Sequence, residues 1–221
     1  MNEQRITDYL TELGKKEGKP GGGSAAAYIG AMSASLARLT IDVQKDKKAY
    51  TAFADELYAL LEEAQHIRTE FESLARADSE AFEPVLEAYR LPKGTTEEKE
   101  VRNQIIEKAL LGAAKPPVRM LEMSVELIAI LEKLVSMRMQ GTIVNDLLVA
   151  AVFTGTVLET AVLNVYINTK LFKNQSKRDE IDEKADQLVS KGKEKVHHLT
   201  DVIHYFLKHD KWPDDLLAEE R

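Results

Sequence analysis

Apolar residues recur every three or four positions along almost the whole chain, which predicts helices in nearly every segment. Apolar positions from Ile6 to Leu13 indicate a short first helix that stops at Gly14. A second helix is expected over 24–44, where many Ala and Ser residues would let neighbouring backbones come close. This helix also carries one stripe of larger side chains, namely Ile29, Met32, Leu36, Leu39 and Val43.

A long third segment begins near Tyr50, with apolar side chains from Phe53 to Leu74 on one face and charged ones on the other. Pro84 is expected to end or kink this helix, because proline lacks the amide hydrogen and clashes with the preceding turn. The stretch LPKGTTEEKE then predicts a loop with Thr96 as the N-cap of the next helix.

In the second half, the pattern predicts two helices flanking Pro116-Pro117, an apolar helix near 142–172 and an amphipathic helix from Arg178 to Lys208. The apolar helix is hydrophobic around most of its circumference, which is typical of a central bundle element. No alternating strand pattern of useful length occurs. We therefore predict an all-α, single-domain antiparallel helical bundle over residues 1–221, with a long central apolar helix.

Composition excludes several classes of function. The chain has 37 acidic and 30 basic residues and a net charge of −7, which disfavours nucleic acid and anionic membranes as partners. Without cysteine there is no disulfide, thiolate nucleophile or Cys-based metal site. The sequence also indicates no signal peptide and no apolar run long enough to span a membrane, so we expect a soluble, cytoplasmic protein.

The stretch KPGGGSAAA places three consecutive glycines before an alanine-rich helix. A flexible linker would need independent domains on both sides, whereas only one short helix precedes it. The alternative is a shaped loop, with Ser24 as N-cap and free backbone N–H groups that bind a carboxylate, a phosphate or the edge of a heterocycle. The candidate binding residues of this loop are Pro20, Gly21, Gly22, Gly23 and Ser24.

Asp78, in ADSEAF, lies on the stripe that core residues otherwise fill, because steps of seven from Ala64 reach Phe71, Asp78 and Val85. One interpretation is structural: the carboxylate pairs with a buried Arg or caps a helix broken near this point. The other is a general acid/base whose pKa is raised by burial. The sequence leaves both open.

Polar residues on the apolar helix form another candidate group: Asp146, Asn164 and Asn168. They either bond to neighbouring backbones or contact a substrate. Asp146 and Asn164 share a face but lie about 27 Å apart, so both cannot touch one reacting group in the same subunit.

The last helix could present three possible metal ligands on one face, because His197, Asp201 and His204 are spaced i, i+4 and i+7. Its polar surroundings favour a solvated face, and we expect no metal.

Several motifs together resemble the formimidoyltetrahydrofolate cyclodeaminase family: PGGGSAAA, ADSEAF followed by LPKGTTEEKE, PPVRMLE, NDLLVAA and LNVYIN. This family includes the cyclodeaminase domain of formiminotransferase-cyclodeaminase and stand-alone methenyltetrahydrofolate cyclohydrolases. The resemblance covers about residues 5–208. It implies an all-helical homodimer and a catalytic aspartate, Asp78, in a D-S-E-A-F version of the family's D-A-E-A-F. Before the apolar helix, this chain has Asn145-Asp146 at the position where Ser-Asp is commoner in the family.

The resemblance implies conversion of 5-formimidoyltetrahydrofolate to 5,10-methenyltetrahydrofolate and ammonia. The alternatives are methenyltetrahydrofolate hydrolysis and a non-catalytic helical binding or assembly module. Neither the cyclodeamination nor the hydrolysis requires a metal or a redox cofactor. Lys115 and Arg119 are candidates to receive the glutamyl tail of the folate.

Overall fold

The protein is an all-helical bundle in the computed structural model, which describes residues 5–16 and 20–216. No strand occurs within these two ranges. This confirms the prediction of an all-α helical bundle. The helices are α1 (Ile6–Leu13), α2 (Gly22–Gln44), a 3-10 helix (Lys48–Phe53), α3 (Ala54–Ala81), α4 (Glu83–Arg90), α5 (Thr96–Ser136), α6 (Val144–Thr169) and α7 (Gln175–His209).

The apolar helix α6 is central, as predicted, and packs against α2, α5 and α7. Two hydrogen bonds show that α2 and α6 run antiparallel. Ser33 Oγ donates to the Ala150 carbonyl at 2.7 Å, and Gln44 Nε2 donates to the Gln140 carbonyl at 2.6 Å. The start of α2 and the end of α6 therefore lie at the same end of the bundle.

Helix α2 turns its small residues inward and its large apolar stripe outward. Ala27, Ala34 and Ala37 are fully buried, whereas Met32 and Leu39 remain about 40% exposed. The helices α2, α3 and α6 can come close because the buried face has almost no side-chain volume. The exposed stripe and α1 form an apolar groove of about 940 Å³, which we call the α1–α2 groove.

Helix α5 runs unbroken through Pro116 and Pro117, so the prediction of two flanking helices is wrong. Pro117 cannot donate to the carbonyl of Ala113, four residues earlier. That carbonyl instead accepts a hydrogen bond from Nδ2 of Asn168, at 3.1 Å. The bond comes from another helix, and therefore local sequence does not reveal it.

The starts of α4 and α5 can be compared with the predicted helix boundaries. Helix α3 ends at Ala81 and α4 begins at Glu83 with Pro84 in its first turn, which confirms the predicted break. The N-cap of α5 is Thr95 and not Thr96, because a capping box joins Thr95 to Glu98. The predicted cap was thus one residue late.

Helix α6 is long and apolar enough, by length and composition alone, to cross a membrane. The expectation that no segment reaches this threshold is therefore wrong. Part of the apolar surface of α6 is buried against α2, α5 and α7, whereas Val152, Leu163 and Ile167 are about half exposed.

Candidate active site

Asp78 meets the N-terminus of α2, so the two main candidate motifs form one site. Helix α2 begins at Gly22, and Gly21 occupies the N-cap position without a side-chain cap. The backbone N–H of Ser24 donates to the Asp78 carboxylate. A helix start leaves its first N–H groups unpaired and favours negative charge, so Asp78 acts as a cap supplied by another helix. The prediction that Ser24 is the N-cap is therefore wrong.

Gly23 is the position at which the loop touches Asp78. A Cβ at Gly23 would lie 2.5 Å from Cγ of Asp78 and closer still to both carboxylate oxygens. At Gly22, in contrast, a Cβ would meet nothing within 4 Å. Glycine is thus required at position 23 by the close approach of a carboxylate.

The environment of Asp78 favours its protonated form. Burial raises the pKa of the carboxyl group, and the hydrogen bond from Ser24 only partly offsets this effect. Within the described part of the chain, no Lys, Arg or His forms an ion pair with Asp78. Neither form of the structural alternative is observed: Asp78 has no arginine partner among the described residues, and it meets the start of α2 and not a helix end at the nearby break between α3 and α4. A half-buried carboxyl with a raised pKa is suited to carry a proton in either direction.

Two tyrosines complete this end of the site. The Tyr9 hydroxyl donates to Oγ of Ser24 at 3.2 Å, and the Tyr9 and Tyr28 rings meet edge to face with centroids 4.6 Å apart. Burial raises the pKa of Tyr9, and the nearby charge of Asp78 adds to this shift. The Tyr9 hydroxyl therefore stays protonated at neutral pH. Sequence analysis missed a polar role for Tyr9, because its spacing with Ile6 and Leu13 matches an ordinary apolar face.

A cleft of about 310 Å³ lies between α1, α2 and α3, and we call it the Asp78 cleft because its lining includes Ser24, which contacts Asp78, and Ser79, the next residue in the chain, although Asp78 itself does not line it. It combines aromatic faces, Pro20 and Ser24 from either side of the three glycines, and charged side chains, whereas Gly21, Gly22 and Gly23 do not line it. Its lining residues are Tyr9, Pro20, Ser24, Tyr28, Ala75, Arg76, Ser79 and Glu80. Lys19, the first residue of the KPGGGSAAA stretch, lies outside the described residues.

The polar residues of α6 take separate places. Asn168 is buried and bonds to the backbone of Ala113 and of Asn164. Asn164 bonds to the carbonyl of Thr160, within its own helix. Asp146 is half-buried in the first turn of α6, which lies at the end of the bundle opposite to Asp78. Asn168 therefore has the backbone-satisfying role that was one of the two alternatives.

Lys115 and Arg119, the two candidates to bind the glutamyl tail, have different surroundings. Arg119 lies among three carboxylates, with ion pairs to Glu70 at 2.9 Å, Glu122 at 3.2 Å and Glu126 at 3.0 Å. The hydrogen bond with Glu70 contributes most to a raised pKa of Arg119. Its charge is thus already balanced within the protein. Lys115 is exposed, by contrast, and lines a second groove that is described below.

The His/Asp group on α7 forms only one pair, between His197 and Asp201 at 3.5 Å, and both side chains are largely exposed. Among residues 5–16 and 20–216, no three His, Asp or Glu side chains lie close enough to hold a metal ion.

Comparisons with known proteins agree on one family. Residues 5–187 match the formiminotransferase-cyclodeaminase family model. The chain is 34% identical to methenyltetrahydrofolate cyclohydrolase of Methylorubrum extorquens, over 76% of this chain and 80% of that protein. It is 29% identical to formimidoyltransferase-cyclodeaminase of Mus musculus, over 85% of this chain but only 35% of that longer protein.

A solved structure shows the same fold. The crystal structure of formiminotetrahydrofolate cyclodeaminase from Thermotoga maritima superposes with a TM-score of 0.78, over 91% of this chain and 98% of that one, at 24% identity. The resemblance in sequence, the matched family model and the shared helical bundle have one explanation: the chain belongs to the formiminotransferase-cyclodeaminase family.

Proposed function

We propose that the chain binds a reduced folate in the Asp78 cleft and that Asp78 moves protons while the one-carbon bridge between N5 and N10 closes or opens. Membership of the family makes it an enzyme of folate one-carbon chemistry. The observation that carries the proposal is the half-buried Asp78 carboxyl, which has a raised pKa and contacts Gly23 and Ser24.

The first candidate reaction is cyclodeamination of 5-formimidoyltetrahydrofolate. N10 attacks the formimino carbon on N5, and a new carbon–N10 bond closes a five-membered ring. The formimino group enters as the protonated amidinium, so its nitrogen already carries two hydrogens. Asp78 accepts the proton that N10 loses and returns it to this nitrogen, which leaves as ammonia when its bond to carbon breaks, and the positive charge stays on the methenyl bridge. Nucleophile and electrophile belong to one molecule, so orientation and one proton carrier suffice.

The second candidate is hydrolysis of 5,10-methenyl- to 10-formyltetrahydrofolate. It is favoured by the similarity to the Methylorubrum extorquens cyclohydrolase, since the match spans 80% of that protein. Here Asp78 takes a proton from a water molecule that adds to the bridging carbon. The hydroxyl now on this carbon loses its proton and becomes the formyl carbonyl as the carbon–N5 bond breaks, and Asp78 gives its proton to N5. Both reactions proceed without a metal or a redox cofactor.

The rest of the cleft orients the substrate in this proposal. The Tyr9 and Tyr28 rings offer an aromatic wall for the flat pterin, while Pro20 and Ser24, on either side of the three glycines, form another edge. The hydrogen bond from Tyr9 to Ser24 holds α1 against this edge.

We also propose that the single-domain chain works as a homodimer. The α1–α2 groove supports this, because it exposes large apolar side chains that include Ile6, Leu10 and Met32. Light scattering should show a dimer for the wild type and a monomer for Met32→Glu; a monomeric wild type would contradict the proposal.

The two reactions can be separated by following the absorbance of methenyltetrahydrofolate. Formation from 5-formimidoyltetrahydrofolate with release of ammonia identifies a cyclodeaminase, and loss of the methenyl compound in water identifies a cyclohydrolase. Asp78→Asn should keep the fold and folate binding but lose most turnover. Asp55→Asn, an exposed change at the other end of α3, is the matched control. Folate binding without either reaction would favour the non-catalytic module.

A further inference from the structure

A second groove continues from the Asp78 cleft. It lies between the end of α3, α4 and the first half of α5, has a volume of about 820 Å³, and is called the α3–α5 groove here. Glu80 lines both the cleft and the groove, and Ala77 of the groove directly precedes Asp78. A ligand whose reacting part lies beside Asp78 can therefore extend into the groove.

The α5 wall of this groove is cationic. Lys108, Gly112 and Lys115 are spaced by four and three residues, so they share one face of the helix. Neither ammonium group forms a hydrogen bond or an ion pair within the described part of the chain. Nearby lysines do pair: Lys177 with Glu107 at 2.9 Å and Lys184 with Glu122 at 2.6 Å. Lys108 and Lys115 are thus available to an anionic ligand.

The shape of the groove favours a flat apolar group between these two cations. Gly112 is exposed, and a Cβ there would meet nothing within 4 Å, so the α5 wall is open between the lysines. Pro84, Ala88 and Leu91 add apolar surface. Two carboxylates, Glu80 and Glu87, lie across from the lysines on α3 and α4 and leave α5 as the cationic side.

We propose that the α3–α5 groove binds the p-aminobenzoylglutamate arm of the folate, with its carboxylates at Lys108 and Lys115. This inference rests on the proposed function. A reduced folate is long, and its pterin end alone would occupy the Asp78 cleft, whose 310 Å³ is at the lower limit of ligand sites. The aromatic ring of the arm then lies on the apolar surface, and the open position at Gly112 gives it room.

The test compares substrates with and without the glutamate. For the glutamate-bearing substrate, Lys108→Gln and Lys115→Gln should each raise KM about tenfold or more and leave kcat unchanged, since each removes a charge-assisted bond. For the corresponding pteroate, which ends at the benzoate, the KM of the double variant should differ far less from wild type. Lys191→Gln, an exposed change on α7 outside the groove, should alter neither.

Gly112→Leu provides a test by shape. Leucine favours helix more than glycine, so the variant should fold, while its side chain fills the groove and raises KM for both substrates. Equal KM values for wild type, the lysine double variant and Gly112→Leu would overturn the inference even if turnover is normal. If the wild type turns over no folate, calorimetry with p-aminobenzoylglutamate decides: loss of binding in the double variant supports the groove, and unchanged binding refutes it.

Discussion

Substituting alanine for Gly23 tests the contact between the glycine loop and Asp78 directly. The new Cβ would lie 2.5 Å from Cγ of Asp78, whereas ordinary contacts begin at 3.4 Å. The carboxylate must therefore move by about 1 Å, or the first turn of α2 must shift. A displacement of this size in a reacting group lowers turnover by about a hundredfold, which corresponds to about 2.7 kcal/mol of activation free energy.

The effect on stability should be much smaller. The obstructing atoms belong to a half-buried side chain that can rotate, and alanine favours helix over glycine by up to about 1 kcal/mol. We expect the free energy of unfolding of Gly23→Ala to stay within about 1 kcal/mol of wild type, as measured by urea denaturation. A large loss of turnover in a stable protein would thus report the position of the carboxylate.

Gly22→Ala is the matched control, because the same methyl group at the adjacent position meets nothing within 4 Å. It should retain wild-type turnover, and even Gly22→Val can affect activity only by narrowing the approach to the loop. Equal losses in Gly22→Ala and Gly23→Ala, or wild-type turnover in Gly23→Ala, would show that the contact with Asp78 does not govern the reaction.

Three further predictions concern stability. Because burial raises the pKa of Asp78, the folded protein binds this proton more tightly than the unfolded chain, and stability falls as pH rises through the raised pKa. Asp78→Asn should therefore have the higher Tm at neutral pH and lose this advantage below the ordinary carboxyl pKa. The reverse trend in Tm would contradict a raised pKa for Asp78. Asn168→Leu should lower the free energy of unfolding, measured by urea denaturation, by about 1–3 kcal/mol, because it leaves the buried Ala113 carbonyl unpaired. The loss should be much smaller in a Pro117→Ala background, where the backbone N–H of residue 117 can replace the lost donor. Equal losses in both backgrounds would refute the pairing of Asn168 with this carbonyl. Gly30→Ala should lower stability by about 1–3 kcal/mol, because its Cβ would lie 2.6 Å from the fully buried Phe71 ring, and an unchanged urea midpoint would show that the two helices can separate freely.

The helices were predictable because apolar periodicity is a local signal. The first helix was placed over Ile6–Leu13, and the break around Pro84 occurs as expected. The errors arose where a distant residue replaces a local interaction. Pro116 and Pro117 indicate a helix break by themselves, and only Asn168, on another helix, satisfies the carbonyl that Pro117 leaves without a donor. No spacing within α5 contains that information.

The orientation of α2 was also beyond local pattern. Its sequence has a stripe of large apolar side chains and a face of small residues, and the alanine and glycine face is the buried one. At the α2–α3 interface, close approach of the two helices stabilises the core more than larger side chains on α2 would, since Gly30 faces the Phe71 ring directly. Which of two apolar faces is buried depends on the neighbouring surface.

The candidate site shows the same division. The sequence by itself determined which residues stand out chemically: an aspartate on an apolar stripe and a glycine loop before a helix. The tertiary structure alone decided that they belong together, because Gly23 and Asp78 lie on different helices and meet only when α2 packs on α3. It also separated Lys115, exposed in a groove, from Arg119, which three carboxylates neutralise. Residue type and spacing are local properties, whereas desolvation and charge pairing depend on what the fold brings within a few ångströms.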